Sequence, residues 1–248
     1  RHAIQPLTLP AYKWKWRMRH AAVTLAEQVT QQIGQGPGWD LLFCTDMLNL
    51  AEFLGLAPPC LRKIPSVAYF HVNQLTYPVQ APDARDLHFA FTNLTPALAA
   101  TSVWFNSAYH RDQFLEALDR WLRRLPDYAP RHAAKTIRDK SEIHPPGIQP
   151  MTTAARLQGG PLRIVWVSRW EHDKGPDTFF RSLDHLAERT SDFRISVLGE
   201  RFERVPAAFD EARQRLKPTI DHWGHLENRA DYLQVLSTQD ILLSTEKH

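Results

Sequence analysis

The sequence predicts an α/β protein made of two doubly wound parallel sheets, and three observations predict it. Short apolar or β-branched runs recur along the 248 residues, segments with helical apolar spacing separate most of them, and one proline- and glycine-rich stretch interrupts the alternation. Strands that alternate with helices pair in parallel, because each helix carries the chain back along the sheet before the next strand begins.

In order, the strands are Leu41 to Cys44, Ser66 to Phe70, Ser102 to Phe105, Leu162 to Val167, Phe193 to Leu198, Ile220 to Trp223 and Ile241 to Ser244. Among the helices, Thr24 to Ile33 sets Leu25, Val29 and Ile33 on one face. Ser107 is placed to cap a helix with Phe114, Leu115, Leu118, Trp121 and Leu122 inward, stopped before Pro126. Pro176 opens a helix with Phe179, Phe180, Leu183, Leu186 and Ala187 as its apolar stripe. Pro206 starts another, to Lys217, and Asn228 a last one through Val235 and Leu236. Between Pro126 and Gly160 the chain carries Pro130, Pro145, Pro146, Pro150 and Gly159, which reads as a linker region with one short strand around Ile143. Two Rossmann-like domains facing a cleft follow, one over residues 1–150 and the other over 160–248. The chain opens without a methionine and stops at His248, just after a strand that should lead into a helix, so the second domain is expected to be incomplete and the first to lack its opening strand.

Composition narrows the function. A net charge of +3 and a pI near 8.9 permit an anionic partner but fall short of a dedicated nucleic-acid binder. Two cysteines, Cys44 and Cys60, imply no disulfide framework and make a reducing compartment, the cytoplasm, the expected location. No apolar run is long enough to span a bilayer, and no signal peptide is visible.

The chemistry concentrates between Trp166 and Asp177. Arg169 and Lys174 lie on the loop from a buried strand to a helix whose first residue is Pro176, preceded by Gly175. Such a start leaves backbone N–H groups and the positive end of the helix dipole facing the loop. A guanidinium forks onto phosphate oxygens, an ammonium acts as a point charge, and together they suit a diphosphate. The glycine fingerprint of dinucleotide sites and the Walker loop are both absent, so any phosphate grip rests on these side chains and the helix end. His71 falls at the carboxyl end of its strand, where open α/β sheets place ligands. Asn73 and Gln74 beside it suit sugar or acceptor hydroxyls, or equally a loop cap. From Tyr12 to His20, Lys13, Lys15, Arg17 and Arg19 interleave with Trp14 and Trp16, as in single-stranded RNA platforms; the same pattern also fits a solvated basic face. His222 and His225 lack the partners of a metal site, and no Ser-His-Asp order supports a hydrolase.

Several segments together resemble the glycosyltransferase-like family associated with tRNA-queuosine α-mannosyltransferase, a branch of the retaining GT-B enzymes. They are Leu9-Pro10-Ala11 with Lys13 to Arg17, Tyr69 to Pro78, Phe105-Asn106-Ser107, Arg169 to Lys174, Ser196 to Glu200, His222-Trp223-Gly224 and Ser244 to His248. The chain departs from the pattern at Val72, where the family usually has glutamate, and at Ser168, where histidine is common. The resemblance implies a GT-B fold and transfer of mannose from GDP-mannose to queuosine in tRNA with retention, without cofactor or divalent metal. It implies donor contacts from Arg169, Lys174, Gly199, Gly224, Lys247 and His248, and a contact to the transferred sugar from His71. Acceptor contacts are expected from Asn73, Gln74, Lys13, Trp14, Trp16 and Arg17. The alternatives are a related transferase with a glycan, lipid or small-molecule acceptor, and an RNA-binding module that has lost catalysis.

Overall fold

The computed structural model describes residues 2–11, 13–34, 38–77, 88–148, 150, 160–201 and 205–246. The chain divides into two compact units, Arg1–Gly147 and Ile148–His248. In the first, the element order is α1 (Trp14–Gln32), β1 (Leu42–Thr45), α2 (Leu50–Leu56), β2 (Ser66–Phe70), α3 (His88–Ala99), β3 (Ser102–Phe105), α4 (Ala108–Leu122), α5 (Ala133–Asp139) and β4 (Ser141–Ile143). The strands form one parallel sheet in the order β1-β2-β3-β4, with Cys44 opposite Ala68, Ala68 opposite Val103, and Val103 opposite Ser141. One face of this sheet, through Ala68, Phe70, Val103 and Phe105, joins the helices in a single apolar core. A fully buried aromatic of this kind contributes about 1.5–3 kcal/mol over an exposed one.

The second unit contains β5 (Leu162–Val167), α6 (Pro176–Ala187), β6 (Phe193–Leu198), α7 (Ala208–Arg215), β7 (Ile220–Gly224), α8 (Arg229–Ser237) and β8 (Ile241–Leu243). Its strands are also parallel but run β7-β6-β5-β8. Its separate core is aromatic. Trp166, Trp170, Phe179, Phe180 and Phe209 are buried together, with the Trp170 and Phe209 rings stacked at 4.2 Å.

Several sequence expectations are corrected here. The first helix begins at Trp14 rather than Thr24, and its buried face is Met18, Ala21, Ala22, Ala26 and Val29. Small alanines let it lie close to α2, and Ile33 stays exposed at its C-terminal cap. The expected linker is not one throughout: α5 lies inside it, and Ala133 and Ile137 are fully buried in the first core. The helix expected from Pro206 to Lys217 begins at Ala208 and ends at Arg215, followed by a short 3-10 turn, Lys217–Thr219. On α6 the inward stripe is Phe179, Phe180 and Leu183, with Leu186 partly buried against the same core and Ala187 facing solvent. The caps at Ser107 and Asn228 are made as expected, each side chain accepting a backbone N–H, from His110 and Ala230. Among the described residues no helix is long and apolar enough to cross a membrane, and no group of three or more His, Cys, Asp or Glu is arranged to hold a metal ion.

Candidate functional site

In the second unit the chain leaves β5 on one side for β6 and β7, then crosses to the other side for β8. Strand order therefore reverses at β5. In open α/β sheets, ligands bind outside the carboxyl ends of the strands at such a reversal. The loop carrying Arg169 and Lys174 leaves β5 there, and Thr245 and Glu246 leave β8 beside it.

These residues form one network. Trp166 Nε1 donates to Thr245 Oγ1 at 3.0 Å, and that hydroxyl donates to the Lys174 carbonyl oxygen at 2.9 Å, tying the two loops together. Lys174 Nζ stands 3.2 Å from Asp173 Oδ2 and 3.5 Å from Glu246 Oε1, and its side chain is only 11% exposed. Ser168 Oγ donates to the same Glu246 oxygen at 2.9 Å. Arg169 pairs with Glu171 at 3.0 Å and is half exposed. In the structure each of these cations faces carboxylates, Glu171 for Arg169 and Asp173 with Glu246 for Lys174. The Arg169–Glu171 pair is partly solvated and worth only about 0–1 kcal/mol, so Arg169 changes partners at little cost.

Glycines set how close the loops come. Gly175 has φ +65° ahead of Pro176, and a Cβ there would strike the Thr245 carbonyl oxygen. No side chain caps this helix start. Gly199, at the end of β6, lies so close to the Ser168 carbonyl that a Cβ would overlap it, so its role in the structure is to let the β5 loop cross. Gly224 has φ +130° and open space around it. Arg201, which sequence reasoning passed over, lays its guanidinium over the Trp170 ring at 4.3 Å, beyond the same edge of the sheet. Lys247 and His248 lie outside the described residues.

The carboxyl edge of the first sheet is built differently. His71 follows β2, and its Nδ1 lies 2.6 Å from Oδ1 of Asp46, a fully buried carboxylate just after β1. The hydrogen bond and charge of Asp46 raise the His71 pKa above its ordinary 6.5, against a smaller opposing effect of burial. Asn93 donates to the Asp46 carbonyl oxygen at 3.2 Å and accepts from the Gln74 N–H at 2.8 Å, while Asn106 donates to the His71 carbonyl at 3.1 Å. Asn73 is buried; its oxygen accepts from the N–H groups of Leu75 and Thr76, and its nitrogen donates to Thr76 Oγ1. Its side chain is thus spent on the turn it caps. Asp46 and Asn93 were missed by sequence reasoning; the one available sign was an acid placed directly after a strand.

The basic and aromatic residues near the N-terminus occupy the first turns of α1. Lys13 precedes the helix with φ 52°, and Lys15 and Arg17, two apart on it, point to opposite sides, so these basic residues form no single track. Trp14 packs its ring 5.4 Å from Phe89, over which Arg19 also lies, and Arg17 reaches His20 at 2.9 Å. Trp16 remains 62% exposed.

Solved structures share this architecture. An Escherichia coli trehalose-6-phosphate protein bound with UDP-2-fluoro glucose matches with a TM-score of 0.61 and 15% identity, covering 92% of this chain and 56% of its own. Anabaena HepE, in complex with UDP and glucose, matches at 0.59 and 15%, covering 98% and 60%. The fold is that of the GT-B glycosyltransferases. Residues 1–148 match the family described as tRNA-queuosine alpha-mannosyltransferase N-terminal, and the chain belongs to it. A Drosophila melanogaster tRNA-queuosine alpha-mannosyltransferase is 34% identical over 252 residues, covering 97% of this chain; the chain spans 65% of that relative's length.

Proposed function

We propose that the protein is a retaining glycosyltransferase that moves mannose from GDP-mannose to queuosine in tRNA and works in the cytoplasm. The observation that carries this reading is the meeting of Arg169, Lys174 and an uncapped helix start at the point where the second sheet reverses its strand order, in a chain of this family. As the bond from the anomeric carbon to the diphosphate breaks, its electron pair passes to a phosphate oxygen. Cations stabilise that growing charge more than they stabilise the bound donor, which lowers the barrier. Arg169 grips phosphate oxygens in a fork, and Lys174 supplies a nearly buried point charge. The acceptor hydroxyl bonds to the anomeric carbon from the face the diphosphate leaves, and its proton passes to the departing phosphate oxygen. His71 holds the transferred sugar, and the basic start of α1 meets the RNA. The test is to incubate the whole protein with queuosine-containing tRNA and GDP-mannose in EDTA, then analyse the nucleosides by mass spectrometry. Mannosylated queuosine is expected. No product, or product only after a divalent metal is restored, would overturn the reading.

A further inference from the structure

The carboxyl edge of the first sheet holds a buried acid for which the proposed chemistry has no use. Asp46 is 0% exposed, and its backbone is locked on both sides: its N–H donates to the Tyr69 carbonyl at 2.9 Å and its carbonyl accepts from Asn93. One carboxylate oxygen accepts from both the ring and the backbone N–H of His71, at 2.6 and 3.3 Å. The other, Oδ2, is buried with no hydrogen-bond partner among the described residues. A buried carboxylate is costly unless a full opposite charge faces it. The arrangement is satisfied best when His71 is an imidazolium, whose Nδ1–H points at Asp46.

We propose that Asp46 is a positioning residue: it keeps His71 protonated with Nε2–H turned outward, so that His71 meets its ligand as a cationic hydrogen-bond donor to oxygen and not as a general base. That the ligand oxygen belongs to a transferred sugar rests on the function proposed above; the charge and tautomer of His71 do not. The ring is 45% exposed, enough to present Nε2 while Nδ1 is held. Among the described residues, Asp46 is the charge that acts on it. Cys44, on β1, has its thiol pushed up to about 12 by burial and by Asp46, and stays neutral. From α3 comes the neutral amide of Asn93, and His110 of α4 contacts Asn106, which donates to the His71 carbonyl oxygen. Fixing one ring nitrogen against a carboxylate is a common way to set the state of the other.

The test is ring-nitrogen NMR of His71 in the whole protein and in its Asp46→Asn variant, which keeps an oxygen for Nδ1 but removes the charge, with kcat/KM measured against pH in both. We expect the wild-type ring to carry protons on both nitrogens at neutral pH. In Asp46→Asn its titration should fall by about one pH unit or more, and the alkaline limb of kcat/KM should move with it. A neutral wild-type ring with a bare Nε2, or a titration unmoved in the variant, would overturn the proposal. Should the variant fail to fold, the wild-type ring state alone decides. A ring that behaves as expected while the pH–rate profile stays put would overturn the ligand-facing role of His71 and leave the transferase reading to Arg169 and Lys174.

Discussion

The two sheets end in carboxyl edges that hold their loops by different means. After β1 and β2, a single buried carboxylate grips one imidazole, and the neighbouring turn is held by the amides of Asn73, Asn93 and Asn106. After β5 and β8, hydrogen bonds through Thr245 are joined by ion pairs of Arg169 with Glu171, partly exposed, and of Lys174 with Asp173 and Glu246, the first of these nearly buried. An amide lattice buried in a turn fixes one backbone path, because an unmade buried hydrogen bond costs about 1–3 kcal/mol. The half-solvated Arg169–Glu171 pair fixes little and trades partners readily. The first edge is therefore suited to presenting one ring in one state, and the second to exchanging carboxylates for an anionic ligand.

The largest expected effect lies at the second edge. Lys174→Ala should lower kcat/KM by about a hundredfold or more, near 2.7 kcal/mol, and Arg169→Ala by about tenfold or more, with circular dichroism unchanged. Near-normal turnover in both would erase the contrast between the edges. Next come the glycines. Gly175→Ala and Gly199→Ala each force a Cβ into a carbonyl oxygen and should cost about 1–3 kcal/mol in urea unfolding. Gly55→Ala, inside α2 with open space around it, should instead stabilise by up to about 1 kcal/mol. Equal effects at all three positions would mean that the β5 and β8 loops do not approach closely.

A smaller effect is expected from pH at the first edge. The folded pKa of His71 is raised above its unfolded value of 6.5, so its contribution to stability is fully present below that value. It is lost as pH rises through the folded value. Unfolding midpoints followed across this range should show a component that vanishes in Asp46→Asn. The smallest effect on folding belongs to α1: Trp16→Ala should change stability by less than about 0.5 kcal/mol because the ring is exposed. If the ring stacks on a base, the same change weakens tRNA binding by about 1–3 kcal/mol. Neutralising Lys15 and Arg19 should flatten the salt dependence by roughly one unit of slope per lost phosphate contact.

The strands were legible in the sequence because continuous apolar, β-branched runs such as Leu162 to Val167 have few other uses than a sheet buried on both faces. The helices α2, α3 and α5 were not. The first is a seven-residue helix, the second carries Pro96 in its interior, and the third is hidden between prolines that read as a linker. Arg169 and Lys174 could be read because strand, loop, glycine and proline are contiguous. Their carboxylate partners were harder: Glu246 arrives from another strand, and strand pairing alone brings it to Lys174. Asp46 was invisible for the same reason, since its partner His71 lies on the next strand and a lone acid after a strand has no periodicity to betray it.

The exchange of carboxylates for a diphosphate at the second edge is tested most directly by titration calorimetry of the whole protein with GDP and GDP-mannose in EDTA, comparing wild type with Lys174→Met. The account predicts metal-free binding that weakens by about a hundredfold in the variant, close to 2.7 kcal/mol. Binding that needs a divalent metal, or that is as tight without the Lys174 ammonium, would contradict it.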